Sequence, residues 1–499
     1  MTKHSYLLGI DVGSSSIKVS AIEASTGNLA GATVSPEQEM SMQALKPGWA
    51  EQDPDLWWEH VVTATQKLLE NTDITKDDVA AIGISYQMHG LVVVDKNKRV
   101  LRPSIIWCDS RAADIGEKAF HNIGPEKCLH NYLNSPGNFT ASKLRWVKEN
   151  EPELYHKIHK IMLPGDFIAM KLTNRICTTH SGLSEGILWN FKENKLARDI
   201  LDTYAIDEEL IPEALNSFGD HGELTAEAAE EIGLKKGTKV TYRAGDQPNN
   251  AFSLNVLNPG EVAATAGTSG VIYGITDSLG YDEKSRVNTF VHVNHTAEQN
   301  RYGVLLCING TGILNSWLRK QFSIESTLTY SQMNELAGQA SIGSDGLKIL
   351  PFGNGSERIF ENKEIGAQVH GLNFNRHDKT HFLRAAQEGI VFSLYYGFQI
   401  MQDMGLTLDT VRAGHANMFL SPLFRDAFVN TTGTRLELYN TDGAQGAARA
   451  AGVGAGIYSS HEEAFESLKK IDLLEPQPEK RKLYLDAYQN WLNTLQSNL

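Results

Sequence analysis

A short strand, a turn of glycine and hydroxyl residues and a second strand occur twice in this chain of 499 residues, once at its start and once just past its middle. Tyr6 to Ile10 is apolar, Asp11-Val12-Gly13-Ser14-Ser15-Ser16 is the turn, and Ile17, Val19 and Ala21 then alternate with Lys18 and Ser20. That alternation is the period of a half-buried strand. Glu261 to Thr265, Ala266-Gly267-Thr268-Ser269-Gly270 and Val271 to Ile275 repeat the arrangement. A repeated supersecondary motif in a chain too long for one core predicts a duplicated α/β architecture. Asn258-Pro259-Gly260 interrupts the pattern between the copies, so the expected domains are 1–255 and 256–499.

The stretches between the motifs fit this frame. Asp53 caps, and Pro54 starts, a helix whose apolar face is Trp57, Val61, Ala64 and Leu68. Val79 to Ser85 reads as a strand. Leu91 to Asp95 and Val100 to Trp107 read as a hairpin about a Lys96-Asn97-Lys98 turn. Residues 110–235 are richer in helical patterning. Val240 to Ala244 is a strand that runs straight into Gly245-Asp246. A long helix is expected from His381 to Met404, a strand at Val411 to Ala413, and a Gly/Ala-rich helix packed closely on a neighbour at Gly443 to Gly456. The charged tail after 460 reads as helical and peripheral.

Composition narrows the function classes. With 41% hydrophobic and 21% charged residues the chain is an ordinary globular one. Its net charge of −14 disfavours nucleic acid and anionic membrane as partners. The four cysteines are scattered and form no Cys-x-x-Cys pair, which points to reduced thiols. No apolar run approaches the roughly 20 residues of a membrane span, and the early Asp11 does not suit a signal peptide. A cytoplasmic enzyme is the expectation, with a homodimer left open.

Several motifs carry possible chemistry. The backbone N–H groups of a glycine turn can cradle phosphate oxygens, and Asp11 at the strand end can hold Mg²⁺. Asp11 could equally stabilise its own turn, but the second loop, Gly267-Thr268-Ser269, favours phosphate. No Gly-x-x-x-x-Gly-Lys-Ser/Thr loop is present, and Gly452-Val453-Gly454-Ala455-Gly456 follows no clear strand, so it reads as helix packing. His89 in Gln87-Met88-His89-Gly90 can bond a sugar hydroxyl or be a buried histidine satisfied by backbone. Asp109 in Trp107-Cys108-Asp109-Ser110-Arg111 can accept from vicinal hydroxyls, with Trp107 as an apolar wall, or cap a helix. Asp246 can be an N-cap, or the base that takes a hydroxyl proton during phosphoryl transfer. His292 and His295 lack a further ligand at metal spacing and read as surface structure.

Taken together, Trp49-Ala50-Glu51-Gln52-Asp53-Pro54 with Trp57-Trp58, Gln87 to Gly90, Val100 to Pro103 and Phe139 to Trp146 resemble the FGGY-type carbohydrate kinases of the actin-like ATPase superfamily. The similarity runs from about Leu8 to Gly456 and is nearest to members acting on D-xylulose. The resemblance implies the α/β class, with two actin-like ATPase (ribonuclease H-like) domains flanking a central cleft. It implies transfer of the γ-phosphoryl group of ATP, with Mg²⁺, to O5 of D-xylulose. The alternatives are another ketose, a sugar acid or a polyol (ribulose, gluconate, glycerol), and more remotely a nucleotide-driven assembly protein. By position, Asp246 is the base and a metal residue with Asp11; Met88, His89, Trp107 and Asp109 line the sugar site; Gly13, Ser14 and Ser15 bind phosphate with Gly267, Thr268 and Ser269. Gly310, Gly414, His415 and Asn417 belong to the nucleotide site, with Gly443 to Gln445 nearby. The chain departs from the family pattern at Tyr86, Cys108, Asn138, Thr179-His180-Ser181, Arg243 and His415.

Overall fold

The first hairpin forms as its alternation requires. β1 (Tyr6–Val12) and β2 (Ile17–Glu23) pair antiparallel with Asp11 opposite Lys18, and β3 (Leu29–Ser35) extends from β2. β4 (Val79–Tyr86) lies parallel on the other side of β1, with Ser85 beside Asp11. β5 (Lys239–Gly245) is parallel to β4, with Gly245 beside Tyr86. The order β5-β4-β1-β2-β3 brings the carboxyl ends of three parallel strands to one edge of the sheet. Those ends deliver Asp11, Met88 with His89, and Asp246, the usual place for a site in an open α/β sheet.

The computed structural model describes residues 5–323, 327–356 and 358–499. These divide into two compact units. The first holds the chain up to Asn255 together with Phe290–Tyr302 and Thr441–Leu468; the second holds Val256–Thr289, Gly303–Asn440 and Lys469–Leu499. The chain therefore returns twice to the first unit after residue 255, where the sequence suggested two continuous halves.

The helices cover the first sheet for readable reasons. Pro54–Glu70 is capped by Asp53, whose side chain accepts the Asp55 N–H at 3.0 Å, and it buries Trp57, Val61, Ala64 and Leu68. The helix Gly443–Gly454 lies on the sheet itself. A Cβ on Gly9 would stand 1.8 Å from the Ala444 carbonyl oxygen, and one on Gly83 would stand 2.0 Å from that of Ala447. Backbone meets backbone there, which is why this helix is built of glycine and alanine.

The second unit repeats the plan. Its strands are β6 (Glu261–Ala266), β7 (Gly270–Thr276), β8 (Asn288–Val291), β9 (Tyr302–Ile308), β10 (Thr410–Gly414), β11 (Arg435–Tyr439) and β12 (Lys470–Leu474). Their order is β8-β9-β7-β6-β10-β11-β12 among the described residues. β6 and β7 are antiparallel, whereas β6, β10 and β11 run parallel, as β1, β4 and β5 do. The helix Lys379–Asp403 buries Ile390, Phe392, Leu394 and Phe398 in this unit's core.

Three expectations need correction. The hairpin about Lys96-Asn97-Lys98 forms only irregularly, through antiparallel bridges of Val94 with Val100 and of Leu91 with Ile105; the regular ladder partner of Val92–Val94 is Lys160–Met162. The tail is not peripheral: the helix Pro478–Gln496 buries Tyr484, Tyr488, Trp491 and Leu495, and the Trp491 indole donates to the Ile349 carbonyl at 2.8 Å. His292 is not on the surface but 1% exposed. No helix is long and apolar enough to cross a membrane, and no group of three or more His, Cys, Asp or Glu is placed to hold a metal among the described residues.

Candidate active site

Two carboxylates meet at the carboxyl edge of the first sheet. Asp11 ends β1 and Asp246 begins the helix Asp246–Ser253 that follows β5. Asp11 is pushed above the usual carboxylate range, first by burial and then by Asp442, while a hydrogen bond from Ser85 and the charge of Lys18 oppose the shift. Asp246 is raised to about 7, first by burial and then by the negative charge of Asp11, against hydrogen bonds from its own helix N-terminus. Two acids that disfavour each other's ionisation in one buried place form a site that wants a cation or a proton.

Glycine and glutamine set the shape of this end. A Cβ on Gly443 would stand 2.5 Å from Asp11 Oδ2 and 3.3 Å from Asn250 Oδ1, so only glycine lets the N-terminus of the Gly443–Gly454 helix, with its positive dipole end, reach the carboxylate. Asp442 caps that helix through the Gln445 N–H at 2.9 Å and holds Lys18 at 2.5 Å. The Gly13–Ser15 turn is fixed from behind, where Gln52 Nε2 donates to the Ser14 carbonyl at 2.7 Å.

Met88, His89 and Glu185 gather near Asp246. A Cβ on Gly245 would stand 2.6 Å from Met88 Cγ and 2.7 Å from Glu185 Oε2, which places both side chains beside the residue that precedes Asp246. His89 has a left-handed backbone, φ 62°, an uncommon conformation for a residue other than glycine and one that gathers at functional sites. Its Nδ1 lies 2.9 Å from the Glu185 carbonyl, which can only accept. Nδ1 therefore carries a proton, and in the neutral tautomer that leaves Nε2 as the acceptor nitrogen. Phe139 and Phe290 flank the ring with centroids 4.9 and 5.5 Å away. Lys143 is buried beneath, donating to the His89 and Ile106 carbonyls at 2.9 Å each. Burial pulls its ammonium down to about 8, with Asp109 opposing.

Trp107 is 42% exposed and its indole N–H reaches Ser14 Oγ at 3.4 Å, so it touches the Gly13–Ser15 turn. Asp109 behaves otherwise than expected. It is 0% exposed; Oδ2 accepts the Ala50 N–H at 2.6 Å, and Arg111 grips both oxygens at 2.7 to 3.0 Å. Nothing of it is left to receive sugar hydroxyls. Arg111 in turn lies 3.7 Å over the Trp49 ring and pairs with Glu51 at 2.6 Å, so Asp109 secures the turn that carries Trp107.

Within the second unit the other expected residues gather separately. The Gly312 N–H donates to the Gly267 carbonyl at 2.8 Å, and a Cβ on Gly312 would stand 2.4 Å from that oxygen. Ser269 Oγ donates to Asn309 Oδ1 at 3.0 Å, and Gly310 takes φ 125°. Asn417 Nδ2 would lie 3.5 Å from a Cβ on Gly267. The Gly267–Ser269 turn thus sits between the start of the helix Gly312–Phe322 and the exposed loop Gly414 to Asn417, where the His415 N–H bonds the Tyr439 carbonyl at 2.8 Å. Glu185 and Phe290 are the residues that sequence reasoning missed.

The chain matches two family models along most of its length: the FGGY family of carbohydrate kinases, N-terminal domain, over residues 6–253, and the C-terminal domain of the same family over residues 262–455. It belongs to the FGGY family of carbohydrate kinases and has that family's two-domain, actin-like ATPase fold. It is 29% identical over 487 residues to the xylulose kinase of Staphylococcus epidermidis, covering 97% of this chain and 95% of that one. It is also 29% identical over 504 residues to the L-xylulose/3-keto-L-gulonate kinase of Escherichia coli, covering 97% and 96%. Among solved structures, the ligand-bound xylulose kinase of Lactobacillus acidophilus superposes with a TM-score of 0.89 at 21% identity, covering 99% and 98%.

Proposed function

We propose that this kinase transfers the γ-phosphoryl group of ATP to O5 of D-xylulose, with Asp246 as general base. The observation that carries the reading is Asp246 itself. It stands beside Met88 and His89 on one side and Asp11 on the other, and its proton affinity is raised to about 7, where a base works at neutral pH. Asp246 accepts the proton of the attacking hydroxyl as the new P–O bond forms and ADP leaves with the electrons of the broken one. His89 Nε2 accepts from a neighbouring hydroxyl, and Trp107 forms the apolar wall. The Gly13–Ser15 and Gly267–Ser269 turns receive phosphate oxygens, and Gly310, Gly414, His415 and Asn417 serve the nucleotide.

Asp11 and Asp246 suit Mg²⁺, which is commonly bound through one or two carboxylates plus substrate phosphates. When bound there it would neutralise charge on the transferring group. Product analysis tests the assignment. With D-xylulose and ATP, ³¹P–¹³C coupling is expected at C5 of the product; coupling at another carbon or no phosphorylated sugar would overturn it. The equal identity to the L-xylulose/3-keto-L-gulonate kinase supports a second reading, in which the acceptor is L-xylulose or a keto sugar acid.

Gly443→Ala checks the carboxylate end. The new methyl must displace Asp11 Oδ2 or the helix start. We expect kcat/KM to fall about tenfold or more, the cost of a misplacement near 1 Å in a reacting site, with the KM for the sugar little changed. Unaltered kinetics would mean that Asp11 does not need its present position.

A further inference from the structure

Four separate stretches of sequence build the acceptor side: Met88-His89, the start of the helix Thr140–Asn150, the segment after Phe290, and Gly245-Asp246. All four touch the same three consecutive residues, Ser184-Glu185-Gly186, at the end of the short helix His180–Glu185. Ser184 Oγ accepts the Val291 N–H at 2.9 Å, which fixes Phe290 next to His89. The Glu185 carbonyl receives His89 Nδ1 at 2.9 Å. The Gly186 carbonyl accepts the Ala141 N–H at 3.2 Å, just past Phe139. The Glu185 carboxyl lies against Gly245 and faces the Tyr86 hydroxyl.

We propose that Ser184-Glu185-Gly186 is the hub that positions the acceptor site, and that Glu185 is its positioning residue. The inference rests on the acceptor site proposed above and explains how residues distant in sequence hold one geometry. A carboxyl group that is 1% exposed costs free energy to bury, and it is kept only where its place matters. The charged groups facing it are Lys143, Asp166 and Asp246. Lys143 spends two of its protons on carbonyls, and Asp166 is paired with Arg243, so neither is committed to Glu185. What the side chain does is fill the space between Met88, Tyr86 and Gly245 and so hold the helix end that orients the His89 ring.

Steady-state kinetics and ¹⁵N spectra of His89 in Glu185→Ala and Glu185→Gln test this. In Glu185→Ala the KM for D-xylulose is expected to rise about tenfold or more while the KM for ATP stays within about twofold, the signature of lost acceptor binding alone. The His89 spectrum should lose its single Nδ1–H tautomer. Glu185→Gln, which keeps the shape, should hold the KM for D-xylulose within about threefold of wild type and retain the single Nδ1–H tautomer of His89. Equal rises in both KM values, an unchanged acceptor KM, or an unchanged His89 spectrum in Glu185→Ala would each overturn the proposal. If Glu185→Ala does not fold, Ser184→Ala is read the same way, with the Phe290 anchor removed instead. Should no sugar be turned over by the wild type, the proposed function fails, whereas the His89 spectrum still decides the hub.

Discussion

Asp246→Ala is expected to lose about 10²- to 10⁴-fold in kcat, the span of an acid–base residue, with sugar affinity largely kept. In the wild type, kcat/KM should fall about tenfold per pH unit below an acid limb near 7, because only the unprotonated carboxylate can accept a proton and Asp246 is raised to about 7. The same shift makes a stability statement. The folded state holds Asp246 above its ordinary value of 3.8, so ionisation above the folded value destabilises the native chain and protonation relieves it. Asp246→Asn should therefore raise the thermal midpoint at pH 8, by about 2 °C or more, and the gain should shrink as the pH falls below 7 and vanish only below the unfolded value of 3.8. Near-normal turnover in the alanine variant would remove Asp246 from the role of base.

Arg243→Met should be the most destabilising single change, costing about 3–5 kcal/mol, the usual result of stripping one partner from a buried ion pair. Arg243 is 0% exposed, its Nε lies 2.9 Å from Asp166 Oδ1, and its Nη2 donates to the Cys177 carbonyl at 3.0 Å. Asp166 already sits above the usual carboxylate range through burial, with Arg243 as the main opposing influence. Without that guanidinium the acid takes up a proton at a still higher pH. The deficit should therefore be larger at pH 8 than at pH 5, as chemical denaturation at the two values would show. An equal deficit at both would mean that packing, not charge, dominates at this position.

Much of the fold was legible because its signals are local. Period-two alternation at Ile17 to Ala21 and a strand running directly into Gly245-Asp246 need no tertiary information, and both elements stand where those patterns put them. The tail was misjudged although its own signal was present: Tyr484, Tyr488, Trp491 and Leu495 recur at helical spacing among charged residues. Asp109 was misread because a carboxylate's partners, Ala50 and Arg111, are set by folding and not by the motif around it.

Glu185 and Phe290 could not be found from sequence. The first lies in a six-residue helix too short to show periodicity, and the second reaches the site on a segment that enters the first unit from the second half of the chain. Two departures from the family pattern, Tyr86 and Arg243, are neighbours in space. The Tyr86 ring lies on Gly165, beside the Asp166 that Arg243 holds. One buried cluster behind the acceptor residues thus accounts for both.

The central claim is sugar-dependent phosphoryl transfer, and ADP release with ATP and Mg²⁺ across D-xylulose, L-xylulose, D- and L-ribulose, gluconate, glycerol and no sugar tests it most directly. The expected result is release that requires a sugar, with the highest kcat/KM for D-xylulose and loss of that activity in Asp246→Ala. ADP release that is indifferent to every sugar would contradict the account.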